Sequence, residues 1–249
     1  AVPDKCASRP ATKPVAERGI PVAWNLLNDY RRHRDPAMHT SAIHPIAIPA
    51  ATRGPARSVE AIYRRLMECA RFPGDPRTLA FAGTLANGVA AGTAPLLRGL
   101  DEAEFQRLMR CCFPGMALHG GSRDARDALD EYDDLVDLLM EHRVECSDVQ
   151  TWLCHAVASA ALRDNHLWQD MGLPSRAVLS QLMTENFPRL AALNCADMKW
   201  KKFFYRQLCE RTGVMICKSP NCRVCTDYAH CFGPEEGAAL VVMAGKRDT

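Results

Sequence analysis

Long apolar runs are missing from this sequence, and none approaches the roughly 20 residues that a membrane-crossing helix needs. The opening stretch, Ala1-Val-Pro-Asp-Lys-Cys, lacks the apolar centre of an export signal, so a cytoplasmic location with no membrane partner is expected. A charge surplus is missing too. Thirty-one Lys and Arg stand against 29 Asp and Glu, a formal net charge of +2. Nucleic-acid binders usually carry a marked basic excess, so no nucleic-acid partner is expected. There is no G-x-x-x-x-G-K, G-x-G-x-x-G, H-E-x-x-H or G-x-S-x-G, and so no familiar catalytic arrangement. The expectation is a protein that is not an enzyme. No stretch alternates with the period of two that marks a half-buried strand, and no repeat recurs at a 20–50-residue period.

What is present is the composition of a soluble globular chain, with 47% hydrophobic and 24% charged residues. A length of 249 residues accommodates one substantial domain with or without an arm. Residues 1–57 hold eight of the 16 prolines and nine Lys or Arg against four Asp or Glu. They read as a Pro-rich basic arm, a solvated linker or a docking segment for an acidic partner. From Ser58 the pattern turns helical, with Ile62, Leu66 and Cys69 on one face. Further helices are expected over Thr78–Ala91 with a break near Gly88, Asp101–Phe113 and Ala125–Arg143. Three more are expected over Asp148–Gly172, Ser175–Asn194 with an interruption at Pro188, and Asp197–Gly213. The expected fold is therefore mainly α: a helical domain of about six to eight helices over residues 58–213. A short irregular cysteine loop follows at 214–235, then a tail at 236–249.

The loop carries the chemistry. Cys217-Lys-Ser-Pro-Asn-Cys222-Arg-Val-Cys225-Thr-Asp-Tyr-Ala-His-Cys231 has the spacing C-x4-C-x2-C-x5-C. Pro220 and Asn221 favour a turn, so the four thiols can converge on one centre. Soft thiolates select zinc, copper(I) or iron–sulfur clusters. Structural zinc sites usually join two short knuckles through a longer spacer, and here there is a single C-x2-C. The first three cysteines share the spacing of plant-type ferredoxins, and the fourth departs from it. Spacing alone leaves a cluster ahead of zinc, and zinc ahead of no metal. The chain has 12 cysteines in all. In a reducing compartment they are expected as thiols rather than disulfides. Cys69, Cys111, Cys112, Cys146, Cys154 and Cys195 fall on or beside expected helices, where packing as small apolar residues is the default.

At this loop the sequence resembles the NifQ family of nitrogen-fixation accessory proteins. The likeness rests on the four-cysteine spacing, on Asp197-Met-Lys-Trp-Lys-Lys-Phe-Phe-Tyr-Arg-Gln-Leu-Cys before it and on Asp227-Tyr-Ala-His-Cys-Phe-Gly-Pro-Glu after it. Arg163-Asp-Asn-His-Leu-Trp-Gln-Asp-Met-Gly-Leu adds a second matching stretch, and the whole covers roughly residues 58 to 235. The resemblance implies a metallochaperone that carries a molybdenum–iron–sulfur cluster. It would supply molybdenum for the iron–molybdenum cofactor of nitrogenase. The implied partners are the cofactor scaffold complex and the nitrogenase iron protein, with molybdate or another molybdenum source upstream. Cys217, Cys222, Cys225 and Cys231 are the implied ligands. A cuboidal cluster of three irons and one molybdenum needs a thiolate at each iron, which leaves one corner for an exchangeable metal. The odd fourth spacing makes Cys231 the candidate nearest molybdenum. Rival functions are an ordinary iron–sulfur electron carrier and a zinc-stabilised interaction module.

Weaker candidates surround the loop. His166 and Asp170 are spaced to meet on one helix face, as a carboxylate orienting a histidine beside a metal or as a satisfied structural histidine. His230 adjoins Cys231 and is either a supporting group or a loop residue facing solvent. Cys209 lies on the helix before the loop as an auxiliary ligand or a packed thiol. Lys199, Lys201, Lys202 and Arg206 alternate with Trp200, Phe203, Phe204 and Tyr205. They read as an amphipathic helix, or as an electropositive approach for molybdate or an acidic partner. The acidic run from Asp127 to Asp137 reads as a solvated helix face.

Overall fold

Five helices of the body start where a side chain satisfies an orphan backbone N–H group. The structure, a computed structural model, describes residues 46–47, 58–122, 130–213, 225 and 227–237. Ser58 caps α1 (Val59–Glu68) by accepting from the Ala61 N–H at 3.2 Å, and Ile62, Tyr63 and Leu66 enter the core. Asp75 caps α2 (Pro76–Ala91) from the Arg77 N–H at 2.8 Å, with Pro76 in the first turn, where its missing N–H costs nothing. The helix thus opens two residues before Thr78 and runs unbroken through Gly88. Asp101 and Glu104 form a reciprocal capping box at α3 (Glu102–Cys112). Then come α4 (Asp130–His142) and α5 (Asp148–Ala161), the latter capped by Ser147. Residues 123–129, the start of the helix expected over Ala125–Arg143, lie outside the described residues.

The single helix expected over Asp148–Gly172 is two. α5 stops at Ala161, and the four-residue α6 (Leu167–Asp170) resumes after a turn. Within the turn, Asn165 Nδ2 donates to Asp170 Oδ1 at 3.0 Å. The Lys201 ammonium meets the Arg163 carbonyl at 2.5 Å, which satisfies an oxygen the helix leaves behind. The interruption at Pro188 is present. Ser175 caps α7 (Arg176–Asn186), Phe187 leaves helical geometry with ψ 56°, and α8 (Pro188–Leu193) follows. α9 (Trp200–Thr212) ends at Gly213 in the left-handed region, φ 69°, and α10 (Tyr228–Phe232) closes the series.

The architecture is mainly helical, with ten helices among the described residues. Four two-residue strands form two parallel pairs. β1 (Ile46–Ala47) lies beside β3 (Met116–Ala117), and β2 (Leu97–Arg98) beside β4 (Gly121–Ser122). Apart from β1, the Pro-rich arm lies outside the described residues, as does the tail from 238 onward. Among the described residues no helix is long and apolar enough to cross a membrane.

α2 is the central helix, since residues 77–88 are all buried, and α1, α5, α6 and α7 pack on it. Such all-round burial suits its small residues, Ala80, Ala82, Gly83 and Ala86. Gly83 is obligatory: a Cβ there would sit 2.5 Å from Gly172 Cα and collide with the Met171 carbonyl oxygen. Phe81, Phe105, Phe113, Phe187 and Phe204 fill the core completely. Cys111, Cys112 and Cys154 are buried there as expected, and burial pushes the Cys154 thiol up to about 12. Two other cysteines differ from expectation. Cys146 is exposed, with its sulfur accepting from Arg143, and Cys195 is disulfide-bonded rather than a packed thiol.

Candidate metal centre

The cysteine segment follows α9 in the chain, and aromatics seat the first turn of α9 in the core. Trp200, Phe203 and Phe204 are buried with ring centroids 5.9–6.2 Å apart, and Trp200 Nε1 donates to Ser180 Oγ at 3.2 Å. Leu208 packs on the same core more loosely. The cations interleaved with these rings are largely committed to the fold. Lys201 turns inward to Asp170, Lys199 Nζ donates to the Ala229 carbonyl at 3.3 Å, and Arg206 pairs with Glu210 at 2.8 Å. Arg211 pairs with Glu141 on α4, whose Glu131 also accepts from the Tyr205 hydroxyl. The acidic helix is therefore partly a counter-surface to α9 rather than a wholly solvated face. Lys202 stays exposed as a solvent-facing charge.

A tight turn launches α9. Asn194 brackets it reciprocally: its Oδ1 accepts from the Met198 N–H at 2.9 Å, and its Nδ2 donates to the Met198 carbonyl at 2.9 Å. Asp197 occupies the left-handed region at φ 55°, which a short polar residue tolerates. Arg176, at the start of α7, holds the turn from outside. Its guanidinium donates to Asp197 Oδ1 at 2.8 Å, to the Asp197 carbonyl at 3.0 Å and to the Met198 carbonyl at 3.2 Å.

Two of the four loop cysteines are described. The Cys225 carbonyl accepts from the Tyr228 N–H at 3.2 Å in the turn before α10. Cys231 sits on α10, and its carbonyl accepts from the Lys199 N–H at 2.8 Å. Both side chains are partly buried. Tyr228 and Phe232 stack at 4.6 Å along the same short helix. Cys217 and Cys222 lie outside the described residues. Among the described residues no three His, Cys, Asp or Glu side chains gather as metal ligands do. His230 is exposed on α10, and Cys209 is partly buried on α9.

The structure divides His166 from Asp170. The Asp170 carboxylate is almost fully buried and takes Lys201 Nζ at 2.6 Å on one oxygen and Asn165 on the other. The Asp170 carbonyl accepts from Asn87 of α2 at 2.9 Å. Burial pulls the Lys201 pKa below its ordinary value, against the pull of Asp170. His166 looks the other way, with Nδ1 3.9 Å from Glu235 Oε2. Glu235 also lies 3.5 Å from Arg176 Nη1, and its side chain is only 4% exposed. Just beyond it, a Cβ on Gly237 would meet Gln169 Nε2 at 2.6 Å, so the chain there runs against α6.

Arg176 and Glu235 are the residues that sequence reasoning left out of the site, while Lys201, read as part of an electropositive approach, turns inward to Asp170 instead. Glu235 carried one usable signal: an acidic residue straight after Gly-Pro, four positions past the last loop cysteine. Arg176 carried none, because its partners are about 20 and 60 positions away in the chain.

Comparison with known proteins places this geometry. The NifQ family model matches residues 80–233, more than half of the chain and inclusive of all four loop cysteines. The chain is 40% identical over 155 residues to Protein NifQ of Azotobacter vinelandii, covering 57% of this chain and 80% of that protein. It is 36% identical over 149 residues to a Protein NifQ homolog of Sinorhizobium fredii, covering 58% of this chain and 64% of that protein. It is 35% identical over 156 residues to Protein NifQ of Rhodobacter capsulatus, covering 61% and 87% respectively. No solved structure matches the chain.

Proposed function

From the premise that the chain belongs to the NifQ family of nitrogen-fixation proteins, we propose that it carries a molybdenum–iron–sulfur cluster and hands molybdenum on for assembly of the nitrogenase cofactor. It acts as a carrier and not as a catalyst, in the cytoplasm. It meets the cofactor scaffold complex and the nitrogenase iron protein, and it takes molybdate or another molybdenum source as its supply. The observation that carries the reading is the C-x4-C-x2-C-x5-C segment inside the family-matched stretch, with its last cysteine fastened to the body through the Lys199 N–H.

The donor chemistry fits this cargo. Thiolates are the ligands that soft metals and iron–sulfur cores select. Cys225 and Cys231 are half-buried, Cys231 packing against the rim of the apolar cluster that seals Cys111, Cys112 and Cys154. A donor must hold its metal and also release it, and thiols at an edge allow both. Three thiolates for three irons would leave one corner for an exchangeable metal. Cys231, Cys217, Cys222 and Cys225 are the ligands in this reading. Cys209 and the exposed His230 are auxiliary candidates at most. Asp170, saturated by Lys201 and Asn165, supports the fold instead.

Elemental analysis of full-length protein purified without oxygen tests the proposal. Molybdenum with several irons per chain is the expected result. Iron alone would favour an electron carrier, and zinc alone in a colourless, air-stable protein would exclude both cluster functions. Cys→Ala at 217, 222, 225 or 231 should lower bound iron sharply, and Cys111→Ala should not. Equal iron in all five variants would refute the ligand assignment.

A further inference from the structure

From Ala229 to Gly237 the chain stays against the body at three points. At the first, the Lys199 N–H and Nζ donate to the carbonyls of Cys231 and Ala229 at 2.8 and 3.3 Å. At the second, the Glu235 side chain is nearly closed off from solvent, with Oε1 3.5 Å from Arg176 Nη1 and Oε2 3.9 Å from His166 Nδ1; these are charge contacts, and Oε2 accepts no hydrogen bond among the described residues. At the third, Gly237 lies close to the Gln169 amide, which a Cβ there would meet at 2.6 Å. Gly233 makes the route possible, because a Cβ there would run into the Ala229 carbonyl as the chain turns off α10.

Glu235 is the unusual member. A carboxylate taken out of water needs compensating charge, and the guanidinium of Arg176 supplies it. The same guanidinium grips the Asp197 turn that launches α9. One side chain therefore ties together the chain entering the cysteine segment and the chain leaving it. α10 is five residues long and has no fully buried residue; only Cys231 and Phe232 pack, partly buried, against the core, so the polar contacts share in holding it.

We propose that Glu235 is a positioning residue. Its carboxylate, docked on Arg176 and His166, latches the Cys231-bearing segment to the helical body and limits how freely the Cys231 sulfur opens to solvent and to an incoming acceptor. This rests on the carrier reading for its purpose. The latch itself concerns residues 229–237 and the body, and it is testable without any metal. Removing the charge favours the opened segment, because the neutral side chain no longer matches Arg176. Metal held through Cys231 is then exposed to competitors more often.

The test uses full-length protein, reduced and metal-free, treated with iodoacetamide under native conditions and read residue by residue by mass spectrometry. Glu235→Gln should raise the alkylation rate of Cys231 at least roughly fivefold, the size of change expected when about one kcal/mol of local stability is lost. Cys111 and Cys112, sealed in the core, should keep their rates. Glu141→Gln, which breaks the exposed pair with Arg211 on the far side of α9, should leave Cys231 unchanged. Gly237→Ala provides a second route, since an alanine at φ 133° is strained and its Cβ crowds Gln169 without stranding a charge, and it too should raise the Cys231 rate. An unchanged Cys231 rate in Glu235→Gln overturns the proposal. If Glu235→Gln instead raises Cys111 in parallel, the variant has loosened the whole fold, and Gly237→Ala decides by whether Cys231 alone responds. In metal-loaded protein, Glu235→Gln should release iron to a chelator faster than wild type. A latch confirmed by alkylation in a protein that never binds iron would leave the proposal standing and remove the carrier reading. Bound iron with unaltered alkylation would do the reverse.

Discussion

Replacing Lys201 by Met keeps most of the stem volume and removes the ammonium that meets Asp170 Oδ2 at 2.6 Å and the Arg163 carbonyl. The Asp170 side chain is 3% exposed and that of Lys201 is 17% exposed. The variant would leave a buried carboxylate with the Asn165 amide as its hydrogen-bond partner and the Arg163 charge near by. Breaking a buried pair from one side costs about 3–5 kcal/mol, and the partial exposure of Lys201 argues for about 3. For a chain of this size that corresponds to a fall in Tm of roughly 6–12 °C. Asp170→Asn should be costly as well, since it leaves the ammonium facing an amide. The double variant should cost less than the two single losses combined, by at least about 1 kcal/mol. Urea denaturation followed by circular dichroism at 222 nm gives all four free energies. Single losses below about 1 kcal/mol, or additivity within ~0.5 kcal/mol, would refute the claim that this pair ties α9 to the turn between α5 and α6.

Cys154 predicts an alkaline limb. Its pKa is raised by burial from 9.0 to about 12, so the folded state holds a proton that the unfolded chain gives up. That stability is fully present below about pH 9 and is lost as pH rises toward 12. At ~1.4 kcal/mol per unit, wild type should lose about 2 kcal/mol more than Cys154→Ala between pH 8 and 10.5. Lys201, with its lowered pKa, works in the opposite sense just below its unfolded value, and the comparison with Cys154→Ala cancels it. Identical pH slopes in urea titrations of the two proteins would contradict the assignment. Gly83→Ala should destabilise by about 1–3 kcal/mol, because α2 must part from Met171 and Gly172. Gly74→Ala, where a Cβ meets nothing, should stay within about 0.5 kcal/mol in the same denaturation assay.

The helical class was legible because caps and periodicity agree along the body. Ser58, Asp101 and Ser175 cap as their positions suggest, and Pro188 and Gly213 interrupt and stop helices as their backbones require. The break after Ala161 was not legible. Leu162 and Leu167 carry the apolar pattern across the polar Arg163–His166, and the Arg163 carbonyl left behind by α5 is taken by a lysine about 40 positions away. The start of α2 could have been read from Asp75-Pro76, a cap followed by proline, but the small apolar run beginning at Thr78 dominated the pattern. The cysteine spacing stood out from sequence because a single loop contains it. The Glu235 site did not, since a buried carboxylate and a surface one are spelled the same way, and only the fold brings Arg176 and His166 to it.

The anchoring of α9 is lopsided, and this bears on how the protein behaves at rest. Its first turn is seated in aromatic core through Trp200, Phe203 and Phe204, while Glu210 to Gly213 are exposed. What holds the far end across to α4 is the Arg211–Glu141 pair at the surface, of the kind that salt screens. The last turn of α9 can therefore fray while the core under its first turn stays shut.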